Sequence, residues 1–317
     1  MKWFFPVLGL ILLALLPVAC GNNNAAPTAP AAPVVINHNY PLSSVFGSFG
    51  SGNGQFDSCS GVAVFRGGIF VADFSNNRIE KFDLNGNFLA AYTGFTQPFA
   101  IAFDSNGILY VVNAGAVTMI QPMDQNGNLF TPWGTAGTAV GQFTTPRGIA
   151  LDSSNRVYVA DKGNNRIQRC SNTGTGCVAV GGTATGTANG QFDTPNGVSV
   201  DRNGNVWVAD SNNNRIQEFN SALAFTQSWG VYGAANGNLS FPTDARMDQD
   251  GNLIVVDQLN PGLPASVTQL KKFTATGTFI QLIGSGWGEP FNTAFDSNNN
   301  LYVADVGTDT VSVFTPN

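Results

Sequence analysis

Side chains able to do chemistry are few in this chain, and their scarcity narrows what it can be. Among 317 residues there is one histidine, His38, beside 20 acidic and 14 basic groups and four cysteines. A Ser-His-Asp triad needs an imidazole held inside a site, whereas His38 lies near the end of an Ala/Pro-rich stretch, where it is expected to be solvated and inert. Cys59 has no imidazole to activate it and reads as a buried loop residue, not a nucleophile. Carboxylate chemistry remains, above all Ca²⁺ held by Asp, Asn and backbone oxygens. The Asp-x-Asn-Gly-Asn runs at Asp124 and Asp201, with variants at Asp104 and Asp248, lack the sixth-position Gly and twelfth-position Glu of an EF-hand loop. They read as type I′ hairpin turns between first and second strands.

These residues sit in a repeating frame. Residues 190–219 show it most fully: Gly197-Val198-Ser199-Val200-Asp201, an Asn203-Gly204 turn, then Asn205-Val206-Trp207-Val208-Ala209-Asp210. A polar break follows, then Arg215 to Phe219 and a fourth run ending at Trp229. Period-2 apolar runs around an Asn-Gly pair predict a hairpin, and the whole predicts one four-stranded antiparallel sheet. The end of the second strand recurs at Asp73, Asn113, Asp161, Asp210, Asp257 and Asp305, spaced by 40, 48, 49, 47 and 48 residues. A period in the forties with four short strands per unit is that of a β-propeller blade, so six marks predict an all-β, six-bladed ring. The last unit has only three strands of its own. Leu42 to Gly47 matches the fourth-strand pattern of Phe225 to Gly230 and Phe279 to Gly284, which predicts that residues 42–47 complete blade six.

Gly54-Gln55-Phe56, Gly141-Gln142-Phe143 and Gly190-Gln191-Phe192 enter three of the units. The same units carry Asn76-Asn77-Arg78-Ile79, Asn164-Asn165-Arg166-Ile167 and Asn213-Asn214-Arg215-Ile216. In these motifs the chain from about residue 46 onward resembles the NHL-repeat family. That resemblance implies a propeller and leaves the activity open, since the family includes scaffolds, RNA binders, sensor domains and a lyase, and related rings hydrolyse lactones. The zinc lyase and the lactonases with a His pair need histidines that this ring lacks. The gluconolactonase-like rings with Ca²⁺ need none, so Ca²⁺ is the one cofactor that stays open. The Asp of each Val-Ala-Asp is expected to hold the following Asn-Asn-Arg loop rather than a ligand.

Blades five and six break the pattern. Aligning Pro146-Arg147-Gly148-Ile149-Ala150 with Pro242-Thr243-Asp244-Ala245-Arg246 puts Asp244 at a glycine position and Arg246 at an alanine position, and Asn292 takes the glycine position of blade six. Residues two apart share a strand face. Asp244, Arg246, Asp257 and Asn292 are therefore candidates for a polar pocket at the channel mouth, covered by the long 258–267 loop; the alternative is a buried ion pair that replaces lost packing. Trp133, Trp229 and Trp287 fall near fourth-strand ends, where they pack between blades or stack a sugar or peptide.

The chain divides into residues 1–19, 20–39 and 40–317. Lys2, the apolar run Trp3–Leu16 and the small residues before Cys20 read as an export signal. Leu16-Pro17-Val18-Ala19-Cys20-Gly21 resembles a bacterial lipoprotein box, with Pro17 where Leu is usual, which implies a lipid on Cys20. The Ala/Pro-rich tether that follows, extended at about 3.1 Å per residue, would lift the ring roughly 40 Å from a membrane. Export makes a Cys170–Cys177 disulfide plausible across the third and fourth strands of blade three. Without Lys2 the formal charge is 13 basic against 20 acidic groups, or −7, which opposes binding to phosphate backbones. The expected function is a non-catalytic binding or scaffold ring on the outer membrane or cell surface, meeting protein, peptide or glycan and no nucleic acid. The alternatives are a Ca²⁺-dependent lactone or sugar hydrolase or lyase, and a sensor domain.

Overall fold

The computed structural model describes residues 38–116, 118–258 and 268–317. Six sheets of four antiparallel strands follow one another, with innermost strands Cys59–Phe65, Pro98–Phe103, Ile149–Leu151, Pro195–Val200, Pro242–Met247 and Pro290–Phe295. Each innermost strand packs against the next, and the sixth returns to the first, so the sheets form a closed six-bladed β-propeller. Blade two carries one addition, the two-residue strand Gln142–Phe143, parallel to Trp133–Ala136.

Position in the blade decides how each strand reads in sequence. A second strand such as Val206–Asp210 is buried along its whole length, because a neighbouring blade covers each face. It therefore reads as a nearly unbroken apolar run. The outermost strand Phe225–Trp229 alternates half-buried with exposed residues, the period-2 pattern of a sheet with one wet face. Between blades three and four, Tyr158, Ile167, Phe192, Val208 and Phe219 form one apolar cluster, and equivalent clusters join the other blades. The Phe of Gly-Gln-Phe is fully buried in all three copies, at Phe56, Phe143 and Phe192.

Blade six is completed from the other end of the chain. Leu42–Phe46 pairs antiparallel with Thr310–Phe314, with Phe46 opposite Val311 and Leu42 opposite Phe314. Lys272, fully buried, anchors the segment just before this strand: it pairs with Asp248 at 2.9 Å and donates to the His38 carbonyl at 3.1 Å. His38 is not a free solvated side chain. Its Nδ1 lies 2.6 Å from the Asp250 carboxylate, because the incoming chain crosses the turn that carries Asp248 and Asp250.

Two details of the turns differ from expectation. Positive φ is confined to the glycine at Gly107, Gly127, Gly204 and Gly251, so these are not type I′ turns, which need two such residues. Each Asp instead accepts hydrogen bonds from the amides two and four residues on, as Asp201 does from Asn203 and Asn205 at 2.8 and 2.9 Å. That side-chain cap favours a type I turn followed by a left-handed Gly. Asp124, moreover, follows the third strand of its blade, Thr118–Met123, rather than the first.

Candidate functional site

Strand register sets the charged groups of the loop face. Asp73, Asp161 and Asp210 end their second strands directly opposite Arg78, Arg166 and Arg215 at the start of the third. The pairs close at 2.7, 2.7 and 2.8 Å. Each carboxylate also accepts an amide from the entry loop, as Thr144 N–H donates to Asp161 Oδ1 at 2.7 Å. Each guanidinium reaches three carbonyls of that loop; for Arg166 these are Thr138, Ala139 and Gln142, all at 2.8 Å. The two asparagines divide the remaining work. Asn164 caps its own loop by donating to Asp161 at 2.8 Å, while Asn165 Oδ1 accepts the Thr194 amide of the next blade at 2.9 Å. The Asn-Asn-Arg motif is thus one clamp within a blade and one hook between blades.

The four pocket candidates separate in the fold. Asp244, almost fully buried, accepts the Thr293 amide at 2.9 Å and the Thr293 hydroxyl at 2.7 Å. Asn292 lies beside it, with Nδ2 3.5 Å from Asp244 Oδ2 and Oδ1 accepting the Val62 amide at 3.1 Å. These two stitch blades five, six and one together, and Asn292 also lines the narrowing of the channel. Arg246 forms no ion pair among the described residues and lines the opposite channel mouth, a cavity of about 350 Å³ among Phe65, Phe103 and Phe295. Asp257, opposite Pro242 at the loop end of its strand, forms a buried pair with Lys271 at 2.7 Å and no hydrogen bond to Asp244 among the described residues. Of the loop expected to cover them, residues 259–267 lie outside the described residues.

Cys170 and Cys177 form a disulfide with Cα atoms 4.1 Å apart. The Cys59 thiol, buried, donates to the carbonyls of Asp305 and Thr310, and burial pushes its pKa far up, so it stays protonated. Trp133, Trp229 and Trp287 pack on Phe143, Phe273 and Phe314 at 6.1, 5.0 and 5.6 Å between ring centres.

The most distinctive site is one that motif reading passed over. At the residue after each blade-entry Pro or Cys stand Ser60, Phe99, Arg147, Asn196, Thr243 and Phe291, and all six converge where the channel narrows. Above them, on the clamp-loop face, opens a cavity of about 380 Å³ that touches every blade. The Arg147 guanidinium lies 4.0 Å from the centre of the Phe99 ring. Phe99 meets Phe291 and Phe74 edge to face at 4.9 and 6.0 Å. Lys162 also lines the cavity, and burial together with the nearby Arg147 charge pushes its pKa down. Neither cation has a carboxylate within ion-pair distance among the described residues. Two deeper polar atoms are unpartnered as well: Asn196 Oδ1 and Thr243 Oγ1, on side chains only 2% and 1% exposed. Unsatisfied groups at such depth are uncommon and ask for an explanation.

Ca²⁺ does not suit this donor set. Hydroxyls, the amides of Asn196 and Asn292, two phenylalanines and a guanidinium ring the axis, whereas Ca²⁺ takes six to eight oxygens with carboxylates among them. Among the described residues no three His, Cys, Asp or Glu side chains converge as metal ligands elsewhere.

Comparison with known proteins agrees with this architecture. The NHL repeat matches at residues 56–82, 143–170 and 192–219, the three blades with the full clamp. Protein brain tumor of Drosophila melanogaster is 30% identical over 125 residues, 37% of this chain and 12% of that protein. NHL repeat-containing protein 3 of Homo sapiens is 33% identical over 76 residues, 23% of this chain and 22% of that one. The chain therefore matches less than a quarter of either relative's length. Among solved structures, a gluconolactonase from Xanthomonas campestris superposes with a TM-score of 0.64 at 14% identity, over 89% of this chain and all of that one. A streptogramin B lyase does so with 0.61 at 14% identity, over 88% and 98%. At such identities the likeness is one of fold. With its repeats, clamps and ring closure in place, the chain carries three NHL repeats within a six-bladed β-propeller.

Proposed function

We propose that this protein is a non-catalytic binding module that takes its ligand at the channel mouth around Arg147, and that it is exported and held at the cell envelope by a lipid on Cys20. The pair of unpartnered cations, Arg147 and Lys162, over a wall of Phe99 and Phe291 carries the reading. Such a mouth combines an apolar body with a few convergent polar groups, the usual make-up of a small-ligand site. The side chains around it favour holding over transforming. The Ser60 hydroxyl donates to the Phe99 carbonyl at 2.8 Å, and among the described residues no side-chain base accepts its proton. Binding is the more general use of NHL repeats, and a protein or peptide partner accords with that.

A thermal-shift screen of small acids, amides and sugars tests the site. Compounds that stabilise the wild type should lose their effect on Arg147→Met and Phe291→Ala proteins. Hits that both variants retain would place the site elsewhere. For anchoring, Cys20→Ser should move the protein from a detergent-extracted membrane fraction to the soluble exported one. Recovery of the wild type wholly in the soluble fraction would overturn the lipid.

A further inference from the structure

We propose, resting on the channel mouth as the binding site, that it recognises the free C-terminal carboxylate of a peptide ending in an apolar residue. Arg147 lies against Phe99 at 4.0 Å, so one guanidinium face is covered while its N–H edge has no partner among the described residues. A planar fork of donors left open in this way matches a planar carboxylate with two parallel hydrogen bonds. Lys162 adds a second positive charge on the same cavity, in a protein whose overall formal charge is −6. The anion preference is therefore a property of this mouth and not of the whole surface.

The hydrogen-bonding residues below specify more than a charge. Ser211 Oγ gives its proton to the Pro242 carbonyl at 2.6 Å. Toward Asn196 it can then only accept, which it does from Nδ2 at 2.7 Å. The amide orientation is thereby fixed, and Asn196 Oδ1 is left as an acceptor without a donor. A carboxylate cannot supply that donor, but the N–H of a terminal peptide residue can. Thr243 Oγ1, unpartnered beside the same narrowing, supplies a hydroxyl for a second ligand oxygen.

Shape selects a chain end. The cavity of about 380 Å³ narrows to about 10 Å³ at the ring of six residues, so what enters from the loop face meets a constriction. Phe74, Phe99 and Phe291 offer edges and faces to one apolar side chain. Glu289, exposed on the rim, is the one acidic side chain of the lining among the described residues and faces the upstream part of the ligand.

The test uses acetyl-Gly-Gly-Phe and acetyl-Gly-Gly-Leu as free acids and as C-terminal amides, with glucuronate and phenylacetate as non-peptide acids, titrated calorimetrically against the whole protein. The free acids should bind at least about ten-fold more tightly than their amides, the worth of a hydrogen-bonded charge pair. Arg147→Met should abolish that difference, and Arg147→Lys, which keeps the charge and loses the fork, should restore only part of it. Equal affinity for acids and amides, lost in Phe291→Ala, would overturn carboxylate recognition and leave the mouth as the site. Tighter binding of glucuronate or phenylacetate than of either peptide would overturn the peptide assignment. Failure of every probe to bind at millimolar concentration would overturn the proposal, and mouth-independent hits in the thermal-shift screen would overturn the site with it.

Discussion

The carboxylate of Asp244 accepts both the backbone amide and the hydroxyl of Thr293 in the next blade, at 2.9 and 2.7 Å. In blades one, three and four the same slot is glycine (Gly61, Gly148 and Gly197), and inner strands touch backbone to backbone: the Gly148 amide donates to the Asn196 carbonyl at 2.8 Å. A Cβ at Gly148 would lie 2.7 Å from that carbonyl oxygen, closer than atoms can approach. Between blades five, six and one, the side chains of Asp244 and Asn292 bridge the seam instead. A charged residue in a glycine column here marks an altered blade contact.

Stability should separate Asp244 from Arg246. Asp244→Ala leaves a buried amide and hydroxyl without an acceptor, at a cost of about 2–4 kcal/mol. Arg246 makes no ion pair or hydrogen bond among the described residues, so Arg246→Ala should change stability by less than about 1 kcal/mol. Urea unfolding of the two variants checks this, and a larger loss for Arg246→Ala would contradict the assigned roles.

Charge alone should not rescue the clamp. Arg166 is nearly buried, pairs with Asp161 and reaches three loop carbonyls. A lysine keeps the charge and loses the fork. Arg166→Lys is expected to lose about 2 kcal/mol or more and Arg166→Ala about 3–5 kcal/mol, which leaves Asp161 buried and unpaired. Equal stability of Arg166→Lys and the wild type in urea would show that the carbonyl contacts contribute nothing.

Glu80 gives blade one its own pH dependence. It occupies the position of Gln168 and Gln217 in blades three and four, and it is fully buried. Burial is the largest influence on it and raises its pKa to about 7 from 4.5; Arg78 opposes the rise and Asp73 adds to it. One guanidinium serves both carboxylates, at 2.7 Å from Asp73 and 3.0 Å from Glu80. Because the folded pKa lies above the unfolded one, the folded state binds more protons between pH 4.5 and about 7, and stability falls as pH rises through that window. The loss is about 3 kcal/mol and complete above it. Glu80→Gln should remove this slope and be the more stable form at pH 8, as measured by urea midpoints across pH. An unchanged slope would place the proton elsewhere.

Much of the ring was legible because its signals are local and repeated. Val-Ala-Asp and Asn-Asn-Arg sit on the two sides of one hairpin turn, so their pairing follows from register. The fourth-strand match at Leu42–Phe46 was readable for the same reason. The channel mouth was not legible in that way. Its six residues come one from each blade, separated by some forty to fifty positions, and each looks ordinary in its own strand. Arg147 stands in an intact Pro-Arg-Gly-Ile-Ala run and attracts attention only when the column Ser60, Phe99, Arg147, Asn196, Thr243, Phe291 is read across blades as the variable position of a constant pattern. Asp244 and Arg246 drew the eye by breaking that pattern. Two positions apart on a strand they share a face, but the innermost strand spans the channel, and its ends serve opposite mouths.

Ring closure gives the last prediction. Leu42–Phe46 covers the edge of Thr310–Phe314, and Phe46 packs on Phe82 of blade one at 4.9 Å between ring centres. Just before it, Tyr40 is buried beneath Lys272, and burial beside Asp248 and Asp250 holds its hydroxyl protonated. A chain beginning at Gly50 loses the strand and these anchors, leaves Lys272 facing an opened seam, and exposes an unpaired strand edge ready to join another chain. It should melt well below the full-length protein and aggregate in proportion to its concentration. A chain beginning at His38 keeps the anchors and should melt with the full-length protein. Light scattering and thermal unfolding of the two read the difference. Equal melting temperatures would mean that blade six is stable with three strands and that the N-terminal strand only decorates it.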